Sequence, residues 1–191
     1  MGAQHPCGVI ESVPPHPDSM HLQFARGWFE LGLLQDAEAE LARIAERYQG
    51  CMEVLEVRFQ LWVRLGRFDE ALVLAERQAA EFPGEYRGHM NRGNALFWLD
   101  RAEEAIACVK AVMGEHPKVA AFPYNLACYC LPAHGEDEAK RWMRVAMRVG
   151  NRAGVLRHAL ADGDLRAIWP WLRTMQEKGR EEGLTAGSGD L

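Results

Sequence analysis

The chain lacks most of what would mark a charged, secreted, membrane-spanning or disordered protein. It has no surplus of positive charge: 22 Lys and Arg face 27 Asp and Glu, a net charge of -5. Phosphate neutralisation needs the opposite balance, so nucleic acid is not an expected partner. No apolar run reaches the ~18 residues that a membrane crossing needs. The opening segment MGAQHPCGVIESVPPHP has no apolar stretch of signal-peptide length. It also fails the myristoylation pattern, because Pro6 stands where Ser or Thr is required. A cytoplasmic location is the expectation. Cysteine is sparse and odd in number, with five residues and no framework spacing, so reduced thiols are expected. Hydrophobic content of 48% and charged content of 26% are those of an ordinary folded chain rather than a disordered one.

Sites for chemistry are equally scarce. There is no phosphate-cradling glycine loop, no HExxH, no GxSxG and no paired CxxC. The nearest approach to a metal cluster is Cys128-Tyr129-Cys130 with His134. Residues two apart on a helix diverge, and cysteine commonly serves as a small buried hydrophobe. His5 and Cys7 would bind a metal only adventitiously. No metal, no cofactor and no catalysis are therefore expected.

What is present is a period. The segments LGLLQDA, LGRFDEA, LDRAEEA and AHGEDEA end at Ala37, Ala71, Ala105 and Ala139, each 34 residues after the last. Pro83 and Pro117 repeat at the same interval. The local chemistry reads as helix, tight turn, helix. Gly32 and Gly66 suit the positive φ that follows many helix C-termini, and Asp100 can adopt it at some cost. Asp36, Asp69, Glu70, Glu103, Glu104, Glu136 and Asp137 then open the second helices, where negative charge suits the helix dipole. Each alanine marks a close helix crossing. Large apolar residues surround it at helical spacing, as Leu55, Phe59, Trp62, Leu65, Phe68 and Leu72 do.

This pattern resembles the tetratricopeptide repeat family, whose unit is a 34-residue helix-turn-helix. The resemblance covers residues 18–153, with units 18–51, 52–85, 86–119 and 120–153. The family's small residue in the first helix is matched by Ala25, Gly93 and Ala127, whereas Phe59 is large and implies local repacking. The expected fold class is all-α: a right-handed α-solenoid of about four such units plus a C-terminal capping helical segment, 154–177. Leu165, Ile168, Trp169 and Leu172 are candidates to cover the last apolar face. Residues 1–17 and 178–191 are expected to be disordered. Pro132 should end the first helix of the fourth unit early, and Pro170 should either start a new turn or kink its helix.

In proteins the chain resembles, the concave face formed by the first helices binds peptide segments. The corresponding positions are Leu22, Arg26, Phe29 and Glu30 in the first unit, and Glu56, Gln60, Val63 and Arg64 in the second. The third unit offers Arg87, Met90, Asn91, Asn94, Phe97 and Trp98, and the fourth offers Tyr124, Asn125 and Cys128. Asparagines can bond a guest backbone, aromatic residues and Met90 can form pockets, and arginines can meet acidic groups. A second candidate surface is the basic stripe Arg141, Arg144, Arg148 and Arg152, which is either a solvated helix face or a docking site for an acidic segment. The expected function is a scaffold for a protein or peptide partner, from a monomer or weak homodimer. The alternatives are a small chaperone for secreted or apolar clients and a self-associating structural protein.

Overall fold

A computed structural model of the protein describes residues 13–186; the expected disorder of 1–12 and 187–191 lies outside the described residues. Ten α-helices make up the described chain, with no strand among those residues. They divide into two compact units, one up to Ala95 and one from Leu96 onward.

The first unit holds α1 (Asp18–Glu30), α2 (Leu34–Arg43), α3 (Met52–Arg64), α4 (Phe68–Glu81) and most of α5 (Tyr86–Trp98). α1 pairs with α2, α3 with α4, and α3 also packs on the preceding pair. The turns follow from their sequences. Gly32 and Gly66 sit at φ 77° and 72°, and the amides of Leu33 and Arg67 donate back to the carbonyls of Trp28 and Trp62 at 2.9 and 2.8 Å. This closure satisfies carbonyls that a helix end leaves without partners. One cluster of the core joins Leu22, Ala25, Ala37, Leu41, Ile44, Cys51, Val54, Val57 and Leu61, and Leu55, Phe59, Ala71 and Ala75 are buried as well. Asp18, itself buried, accepts a 2.6 Å bond from the Ala45 amide and so ties the start of α1 to the end of α2. Phe59 is accommodated in the interior at 3% exposure.

The second unit holds the end of α5, α6 (Ala102–Val112), α7 (Ala121–His134), α8 (Glu136–Val149), α9 (Arg152–Ala159), a 3-10 helix (Gly163–Ile168) and α10 (Trp169–Ala186). Asp100 adopts φ 58° in the first of its turns, with the Arg101 amide closing on the Leu96 carbonyl at 2.9 Å. Gly135 does the same service between α7 and α8 at φ 85°. Ala37, Ala71, Ala105 and Ala139 are all fully buried, so the four small residues do lie where helices come closest.

One expectation is corrected. α7 does not stop before Pro132; it continues to His134 with the proline inside. A proline in a last turn forfeits a single backbone bond, and the Gly135 amide still closes the helix on Cys130 and Leu131. α10 runs to Ala186. Pro170 falls in the first turn of α10, where its missing amide costs nothing. Leu165, Ile168 and Leu172 are fully buried in the segment that follows α8.

Candidate functional site

The first helices of the N-terminal unit carry their polar residues on a common side. Arg26 of α1 and Arg87 of α5 both donate to Glu53 of α3, Arg87 at 2.8 Å. Beside this ladder, Glu56 accepts from Asn91 at 2.9 Å and from Gln60 at 3.0 Å. Asn91 also donates to the buried Gln78 of α4 at 3.0 Å. The bond from Arg87, reinforced by Arg26 and opposed by partial burial, holds Glu53 below the ordinary glutamate range. The same carboxylate raises Arg87. Arg87 also lies 3.7 Å from Glu85, so the carboxylates of Glu53, Glu56 and Glu85 surround it, whereas Arg26 is exposed and a guanidinium has further donors to offer. Arg64 lies over the half-buried Phe29, 5.5 Å from the ring centre, which fixes an exposed cation beside an apolar surface.

Not every predicted groove residue is on that surface. Leu22 and Met90 are buried, at 2% and 7% exposure, because they face the core that stacks their helices. Asn91 is buried too and serves the link between α4 and α5. Arg26, Gln60 and Arg64 are exposed, whereas Glu56, Arg87 and Asn94 are half-buried.

In the C-terminal unit two of the predicted groove residues meet the segment after α8. The Tyr124 hydroxyl donates to Asp162 at 2.7 Å, its ring lies 5.2 Å from that of His158, and Cys128 points at the same carboxylate. Tyr124 and Cys128 are therefore covered by the segment after α9. Burial first, then the hydrogen bond to Asp162 for Tyr124 and the Asp162 charge for Cys128, push both groups far toward their protonated forms. Cys130 is pushed up to about 11, again mainly by burial. Thiols held protonated are poor nucleophiles and poor metal ligands. Asn125 donates to the Tyr129 hydroxyl at 3.3 Å, and Phe97 packs on the Tyr129 ring at 5.0 Å. Trp98 stays partly exposed.

The basic stripe is not one helix face, because α8 ends at Val149 and Arg152 opens α9, and most of its cations are engaged within the chain. Arg144 lies over the Trp171 ring at 5.1 Å, Arg152 donates to the Met175 carbonyl at 3.1 Å, and Arg141 pairs with Glu138 at 3.0 Å. Arg148 is exposed. Two of the four cations thus meet α10.

Sequence reasoning missed Glu53, Gln78, Asp162 and Tyr129. Glu53 was within reach, since it stands 34 residues before Arg87. Asp162 was not, because it lies outside the period.

No family model matches the chain, and no curated protein matches its sequence. Solved structures do match. A thermophilic tetratricopeptide repeat protein of Thermus thermophilus, TTC0263, is 17% identical over 88% of this chain and 95% of its own, with a TM-score of 0.66. MamA from Desulfovibrio magneticus RS-1 is 14% identical over 92% and 99%, with a TM-score of 0.61. MamA MSR-1 is 20% identical over 71% and 78%, with a TM-score of 0.56. Helix pairs closed by recurring left-handed turns, alanines buried at the 34-residue interval and these likenesses agree: the chain has the all-α fold of the tetratricopeptide repeat proteins.

Proposed function

We propose that this chain is a binding module that holds a segment of another protein against the first-helix face of its N-terminal unit. The observation that supports the reading is the shared carboxylate. Glu53 is flanked by Arg26 and Arg87, and the exposed Arg64 stands over Phe29 on the same helices. Such a face offers charge-assisted donors to an acidic side chain beside an apolar contact. It suits a guest carrying Asp or Glu next to an aliphatic or aromatic residue. A chaperone for purely apolar clients would need a hydrophobic patch here, and the exposed Arg26, Gln60 and Arg64 argue against one.

The reading is of a scaffold and not of an enzyme. The buried thiols and Tyr124 are held in their neutral forms, the reverse of an activated nucleophile. Among the described residues, no helix is long and apolar enough to cross a membrane.

The test is selection of peptides from a displayed random library on the full chain, followed by affinity measurement. Enriched peptides should carry an acidic residue, and Arg26→Ala with Arg64→Ala should weaken them about tenfold, or ~1.4 kcal/mol, while the chain remains folded at the assay temperature by circular dichroism. Equal affinity for the double variant, or enrichment without acidic residues, would overturn the reading.

A further inference from the structure

One face of α1 is apolar and uncovered. Met20, Phe24, Trp28 and Leu31 are 41%, 48%, 36% and 71% exposed. At spacings of four, four and three they share one side of the helix. Gly27 lies among them, and a Cβ placed on it would meet nothing within 4 Å.

The repeat says what kind of surface this is. The residues 34 positions after Met20, Gly27 and Leu31 are Val54, Leu61 and Leu65. Val54 and Leu61 belong to the cluster built with Ala37, Leu41 and Ile44 of α2, and Leu65 packs against it. One period further on, Gly88 lies so close to α4 that a Cβ would come within 2.6 Å of the Ala79 amide. In α3 and α5 this side of the first helix is the one that stacks on the helix pair before it. The exposed face of α1 is therefore the same stacking interface, continued to the end of the unit.

We infer that a second copy of this chain covers it, α1 against α1, in a symmetrical dimer. Three features favour this occupant. No charged residue stands at positions 20, 24, 27, 28 or 31, so pairing the face with itself opposes no like charges. Its Met, Phe and Trp are residue types enriched at interface cores, and the glycine lets helix backbones approach. Head-to-tail stacking, by contrast, would need an apolar surface at the other end of the chain. There Leu165, Ile168 and Leu172 are already fully buried, and among the described residues no large exposed hydrophobic side chain lies beyond Trp98. An interface that uses one patch on both partners closes at two subunits.

Sedimentation velocity of the full chain across a concentration series tests the inference. The expected result is a monomer–dimer equilibrium with no larger species. Phe24→Glu with Leu31→Glu should weaken it by about tenfold or more, while the helical circular dichroism and melting of the dilute monomer stay those of the parent. Separately, Gly27→Cys should give, under mild oxidation, a dimer linked through position 27 of both chains, identified by peptide mass. A chain that stays monomeric, growth beyond two subunits, a dimer indifferent to the double substitution, or no linkage through position 27 would overturn it.

Discussion

The two compact units treat the outer side of their first helices differently. In the N-terminal unit, Arg26, Glu53 and Arg87 join three first helices through charge, and their side chains remain partly in water. In the C-terminal unit, Cys128, 34 residues after the half-buried Asn94, is buried with Tyr124 under the segment that carries Asp162. The difference teaches that a repeat position does not carry a role by itself. Its role depends on whether the next element along the chain is another helix pair or a cap. A side left open can keep ionic residues, because solvent offsets their desolvation cost. A side that is covered must be apolar, or must have every polar group matched.

The largest expected effect breaks what the units share. Ala71→Arg in the first, or Ala139→Arg in the second, forces an unpaired charge into a fully buried crossing and should cost about 3–5 kcal/mol. Urea denaturation followed by circular dichroism reads this, and a variant that unfolds at the parent midpoint would mean that the alanines do not mark the crossings. Next comes Leu172→Ala, which strips the C-terminal unit alone. A fully buried leucine truncated this way should lose about 2–5 kcal/mol. Hydrogen exchange should then rise in α7 and α8 more than in α1 to α3. Uniform exchange through the chain would remove the distinction between the units.

Tyr124→Phe leaves Asp162 without its hydroxyl partner and should cost about 1 kcal/mol. A cycle with Asp162→Ala isolates the pair, and zero coupling would reduce the contact to packing. The matching test in the N-terminal unit is pH. Glu53 lies below its ordinary value in the folded protein. Its contribution is therefore present in full above the unfolded glutamate pKa of about 4.3 and disappears as pH falls through the lower folded value. Glu53→Gln should melt below the parent at neutral pH and converge with it toward pH ~3. A constant gap across that range would contradict the paired carboxylate. Smallest is the contrast on α8: Arg144→Glu should cost about 0.5–1 kcal/mol through loss of the Trp171 contact, and Arg148→Glu should stay within ~0.5 kcal/mol.

Much of the fold was legible because its signals are local. Gly32, Gly66 and Asp100 announced left-handed turns, and all three have positive φ. The four alanines announced close crossings, and all are buried. Pro132 misled, since the rule that proline breaks helices weakens in a final turn. The candidate site was less legible. Leu22 and Arg26 stand four residues apart on one side of α1, yet the first lies in the core and the second in water, because the neighbouring helices cover only part of that side. Composition alone does not tell the two apart.

Asp162 could not be read at all as a partner of Tyr124, 38 residues away. Arg141, Arg144, Arg148 and Arg152 read as one free stripe, but Arg144 of α8 and Arg152 of α9 meet α10. The linear chain determined where helices begin, turn and touch, because these depend on residues within a few turns of one another and recur at a constant interval. Only the tertiary structure decided which faces stay open, which charges neutralise each other and which side chains the C-terminal segment covers. Those outcomes rest on distances between helices far apart along the chain, and a period has no information about them.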